Sequence, residues 1–108
     1  MKKRKPKLGS VYLLKSRSTE GIYKYGCTTL SAEDRCKGVN RQKNCGGYDF
    51  YVLAEVASND CYKAETNVKW NLLDDSVSAI SEVISIEFFS GSENELIERF
   101  IALAGFRA

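Results

Sequence analysis

The chain has no histidine, no Cys-x-x-Cys pair and no apolar run approaching the ~20 residues that a membrane-spanning helix needs. With no histidine, a zinc site would have to gather all four cysteines, Cys27, Cys36, Cys45 and Cys61, from one strand, one helix, one loop and a second helix. Free, partly buried thiols in a reducing cytoplasm ask less of the chain and are the expectation. A secretory signal is lacking too, because the basic start runs into Leu8-Gly9-Ser10 and then strand, without a sustained apolar stretch.

Acids are scarce where bases abound. Residues 1–48 hold 12 Lys/Arg against three acids, Glu20, Glu33 and Asp34, whereas residues 49–108 hold four Lys/Arg against 11 acids. A net charge of +2 hides this split. Either a basic face meets a polyanion while the acidic half repels it or supplies metal-binding carboxylates, or the halves are two solvated faces. At 108 residues, with 44% hydrophobic and 28% charged side chains, the chain makes one folded domain, and any chemistry is done by that domain itself.

Residues 1–9 read as a flexible basic arm and 10–108 as the domain. Lys2, Lys3, Arg4, Lys5 and Lys7 place five positive charges in six residues, a segment that cannot fold alone. It suits an electrostatic tether to phosphates, a solubilising tail, or a nuclear-import signal.

Within the domain, Val11-Tyr12-Leu13-Leu14 is apolar on both faces and reads as an interior strand. A polar turn, Ser16 to Gly21, leads to a returning strand, Ile22–Cys27, with Tyr23, Tyr25 and Cys27 on one face and Ile22, Lys24 and Gly26 on the other. Ser31 can cap a helix with an acidic first turn, whose buried stripe is Ala32, Cys36 and Val39 and whose edge carries Arg35. Glycines at 46 and 47 then lead to a third strand, with Phe50, Val52, Ala54 and Val56 alternating against Tyr51, Leu53 and Glu55.

Asn59 or Asp60 can cap a second helix, about residues 60–74, whose stripe of Cys61, Val68 and Leu72 also contains Glu65. A carboxylate there needs a partner: a salt bridge with Arg35 or Lys24, or a metal ion at the rim of the core. Trp70 points the other way, either exposed or covered by the C-terminal segment. Ile84–Phe89 reads as a late strand or extended segment, and Ser92 with Glu95 forms a capping box opening a terminal helix that buries Leu96, Phe100 and Leu103. This order specifies an α+β fold, a small central antiparallel three-stranded sheet flanked by helices.

With those elements in place, the chain resembles the GIY-YIG endonuclease superfamily, well over residues 10–75 and loosely beyond. Ser10-Val11-Tyr12 matches the first motif and Lys24-Tyr25-Gly26 the second, with lysine as in a phage-associated subgroup. The literal Gly21-Ile22-Tyr23 is a coincidence, since it abuts the second motif and leaves no room for a hairpin between the two. Arg35 matches the family's helical arginine and Glu65 its metal-binding glutamate. The histidine that many members place near the site has no counterpart, and Asn71 comes too soon after Glu65 to match a late asparagine.

The resemblance implies hydrolysis of a DNA phosphodiester with one Mg²⁺ or Mn²⁺ ion, in the cytoplasm of a bacterial or phage-infected cell. Glu65 holds the ion, Arg35 meets the phosphate, and Tyr12, aided by Lys24, orients or deprotonates the attacking water. Tyr23 and Tyr25 are expected to be core or wall. The arm cations, with Lys37, Arg41 and Lys43, contact the nucleic acid. No membrane is expected; with no appended recognition domain, selectivity would come from groove shape, modified bases, a homodimer or a recruiting protein partner. A second possibility is a catalytically weak relative that serves as a nucleic-acid-binding or protein-interaction module.

Overall fold

A strand that is apolar on both faces belongs in the middle of a sheet, and the first strand lies there. In the computed structural model, which describes residues 7–41, 49–72, 83–85 and 91–105, β1 (Gly9–Ser16) pairs antiparallel with β2 (Ile22–Thr28) on one side and β3 (Phe50–Ser58) on the other. A short β4 (Val83–Ser85) pairs with β2 at Ile22–Lys24, giving the order β3-β1-β2-β4. The α+β architecture is therefore the expected one, with one short edge strand added. That strand overlaps the start of the segment expected to be extended, and its continuation through 86–89 lies outside the described residues.

Gly21, with φ 81°, makes the turn between β1 and β2, a left-handed conformation that glycine adopts without steric cost. The Gly21-Ile22-Tyr23 string is thus a turn residue followed by the first residues of β2.

Helices cover both faces. On one side α1 (Ala32–Arg41) buries Ala32, Cys36 and Val39 against Tyr12, Leu14 and Phe50. On the other, α2 (Cys61–Asn71) and α3 (Glu93–Ala104) pack on Val11, Leu13, Tyr23 and Tyr25 through Ala64, Val68, Leu96 and Phe100. Leu103 is only partly buried, and Ala104 completes the inner face of α3. Ser31 accepts from the Asp34 amide, Asp60 from Lys63, and Ser92 from Glu95, each satisfying a backbone donor that a helix start leaves open. The Glu95 carboxylate takes up the Ser92 hydroxyl at 3.2 Å.

The third strand departs from simple alternation. Leu13 pairs with Ala54 but Leu14 with Val52, so Leu53 is an extra residue, a β-bulge. Phe50 and Val52 face α1 as one set, whereas Ala54 and Val56 turn to the α2/α3 side. The bulge shifts the alternation by one and brings Glu55 opposite Tyr12, on the α1 face.

Strand β1 begins at Gly9, within the stretch read as arm. The carbonyl of Lys7 accepts from the Cys61 amide at 2.9 Å, which ties the chain entering β1 to the start of α2. No helix among the described residues is long and apolar enough to cross a membrane.

Candidate active site

Tyr12 and Lys24 lie on the face of the sheet that α1 covers. Across the ladder Tyr12 faces Gly26 and Leu14 faces Lys24, so Tyr12, Gly26 and Lys24 form one cross-strand patch. The Tyr12 ring lies over Gly26: a Cβ built there would clash with the Tyr12 hydroxyl and stand 2.6 Å from its Cζ. The glycine of the second motif is needed by the tyrosine of the first, and the two motifs are one packing unit. Tyr12 is 2% exposed.

Arg35 comes from above. At about 100° per residue it stands roughly 60° to one side of the buried stripe of α1, with Glu33, Lys37 and Asn40 on the other side. Those three, with Arg17, Tyr51 and Glu55, line a cleft of about 470 Å³ between α1 and β3. Because β1 separates β3 from β2, the exposed Arg35 belongs to the flank toward β2 and Lys24. The cleft itself carries two cations and two carboxylates, and the Arg17 guanidinium sits 4.7 Å over the Tyr51 ring.

Glu65 approaches from the opposite face. It is half-buried on α2, and its carboxylate lies against the Cys27 thiol. Burial first, then the carboxylate and the neighbouring Cys61, push that thiol well above its ordinary value. Burial likewise raises Cys36. Both therefore stay as thiols at neutral pH, unsuited to nucleophilic attack.

Tyr12, Lys24 and Arg35 are thus gathered on the α1 face, while Glu65 reaches the same end of β2 from the other side. Cys27, which it touches, is the residue after Gly26. Strand β4 pairs only with Ile22–Lys24, so among the described residues the outer edge of β2 beyond Lys24 has no partner strand. The Glu65 side and the Tyr12 side are therefore separated by the sheet, with that open edge between them.

Tyr23 and Tyr25 are core, as expected. The Tyr23 hydroxyl donates to Glu93 at 2.8 Å, and Lys15 meets the same carboxylate at 2.5 Å, docking the first turn of α3 onto the sheet. Cys27, Cys36 and Cys61 are free thiols, and Cys45 lies outside the described residues. Among the described residues no three His, Cys, Asp or Glu side chains are placed to hold a metal together. Lys37 and Arg41 are exposed on α1 and Lys7 is exposed beside α2; Lys2, Lys3, Arg4, Lys5 and Lys43 lie outside the described residues.

Sequence reasoning missed two residues. Glu55 accepts from the Ser10 hydroxyl at 2.6 Å and from the Ala32 amide at 3.2 Å, an anion at the positive end of α1. Its position depends on the bulge, which leaves no mark in the residue pattern. Asn40 donates to the Phe50 carbonyl and accepts from the Phe50 amide, both at 2.8 Å, so its side chain occupies the place of a neighbouring strand on the edge of β3. An asparagine with a bulky apolar residue ten positions on gave no signal.

A family model described as the T5orf172 domain matches residues 9–103. No curated protein and no solved structure matches the chain.

Proposed function

The chain belongs to the T5orf172 domain family, which is nuclease-related, and from that premise we propose that it is a metal-dependent endonuclease of the GIY-YIG type that hydrolyses DNA phosphodiester bonds. The observation that carries this reading is the Tyr12–Gly26–Lys24 patch with Arg35 on the flank above it. Motif residues of the first two strands share that face, and the arginine of α1 lies on the flank of the helix toward it.

Glu65 is a single half-buried carboxylate at the open edge of β2, with a protonated thiol beside it. That donor set fits Mg²⁺ or Mn²⁺, which is held through one or two carboxylates with water and substrate phosphate supplying the rest. When bound, such an ion polarises the scissile phosphate and stabilises the leaving oxygen. Arg35, exposed, pairs with the phosphate oxygens and strengthens that contact as charge builds in the transition state. Tyr12 orients the attacking water and takes its proton. The Lys24 ammonium lies on the same face and aids that step.

A second reading, a nucleic-acid-binding module with little or no catalysis, is favoured by one observation: α2 packs on the face opposite Tyr12, so the halves of the site must meet around a strand edge. Supercoiled plasmid with Mg²⁺ or Mn²⁺ separates the two. Nicking that EDTA, Glu65→Ala and Arg35→Ala each abolish supports the nuclease. Cleavage surviving in Glu65→Ala removes Glu65 from the site, and binding without cleavage under every metal supports the module.

A further inference from the structure

Helix α2 has an outward side that the reading above does not use. Its buried line is Cys61, Ala64 and Val68, and α3 packs along one flank, where Asn67 donates to the Leu103 carbonyl and Arg99 to the Asn71 carbonyl. Across the outward side, from Lys63 and Trp70 round to Thr66, Tyr62 and Lys69, all five side chains are exposed. Trp70 is 54% exposed and Tyr62 38%, and their rings are two turns apart, about 12 Å along the axis. The Lys69 ammonium lies 5.6 Å over the Trp70 ring. The one carboxylate within this helix, Glu65, is turned toward Cys27, and the acids of α3 belong to the opposite flank.

Two rings, each with an ammonium group next to it in sequence, are matched to a partner with stacked rings and a repeating negative charge. The chain itself points the same way. Lys7, itself an exposed cation, accepts through its backbone carbonyl from the first residue of α2. We propose that this outward side of α2 is a contact surface for single-stranded nucleic acid, with bases stacking on Tyr62 and Trp70 and phosphates meeting Lys63 and Lys69. The choice of nucleic acid as partner rests on the function proposed above; the residues and the mode of contact do not depend on catalysis.

Trp70 is the only tryptophan in the chain, so its emission reports on this surface alone. The full chain in EDTA is titrated with labelled oligothymidylate, following tryptophan emission and label anisotropy together. Quenching of Trp70 with the same midpoint as the anisotropy is expected. Tyr62→Ala and Trp70→Ala, both at exposed positions, each weaken binding by about 5- to 100-fold, and Lys63→Gln with Lys69→Gln lowers the slope of log K against log salt by about 1.4. Binding that leaves Trp70 emission unmoved, an unchanged salt slope in the double variant, or no binding at low salt overturns the proposal. A chain that binds through Trp70 yet never cuts keeps this surface and loses the nuclease; one that cuts with Trp70 silent does the reverse.

Discussion

Replacing Gly26 by alanine tests whether the two motifs are one packing unit. The added methyl would clash with the Tyr12 hydroxyl and lie 2.6 Å from Cζ and 3.0 Å from Cε1. Tyr12 is 2% exposed and packed against Ala32, Cys36, Val39 and Phe50, so its ring has little room to move aside. Overpacking of this kind costs about 1–3 kcal/mol. Against it stands the intrinsic gain of alanine over glycine inside a strand, roughly 0.5–1 kcal/mol.

The overpacking wins, so Gly26→Ala should lower the midpoint of thermal unfolding by several degrees, at about 4–8 °C per kcal/mol for a domain near this size. Tyr12→Phe removes only the hydroxyl clash and gives partial relief. In a Tyr12→Ala background the ring is gone, and Gly26→Ala should turn neutral or mildly stabilising. The cycle then shows a coupling of about 1–3 kcal/mol, the overpacking cost itself, read by circular dichroism melts of all four proteins. Additive effects, or a Gly26→Ala protein as stable as the parent, would refute the packing argument.

Asn40→Ala removes the amide that bonds both backbone groups of Phe50, leaving the Cys36 thiol on the carbonyl, which should cost about 1–3 kcal/mol and speed hydrogen exchange at the Phe50 amide. Glu55→Ala takes the anion from the start of α1 and should destabilise by roughly 1–2 kcal/mol, with faster exchange at the Ala32 amide. Glu93 is held below its ordinary value of 4.5 by the Lys15 ammonium and then by the Tyr23 hydroxyl. Its bonds therefore contribute at neutral pH and are lost as the pH falls from about 4.5 through the lowered value. Glu93→Gln should flatten that acid limb in pH-dependent urea melts, and parallel limbs in variant and parent would refute the assignment.

The central strand, the capped helices and the stripe of α1 were legible in the sequence because each depends on local pattern: Val11–Leu14 apolar on both faces, Ser31, Asp60 and Ser92 at helix starts. Glu65 was legible for the same reason, as a charge on an apolar line. What the sequence hid was the relation between elements. Which face α2 would cover depends on how the crossover from β3 packs, and Glu65 therefore meets Cys27 rather than arriving beside Tyr12. The reversal of faces within β3 comes from one unpaired residue, and a residue that breaks pairing has no composition of its own.

That single residue at Leu53 makes β3 two half-strands in opposite phase. A relative with one residue fewer at this point would pair regularly and keep the same facings, its counterparts of Val52 and Glu55 toward α1 and those of Ala54 and Val56 toward α2 and α3. A relative that kept all nine residues but paired them without a bulge would instead carry its counterpart of Glu55 away from the start of α1. The carboxylate's place over α1 therefore depends on the pairing at position 53 as much as on the identity of position 55.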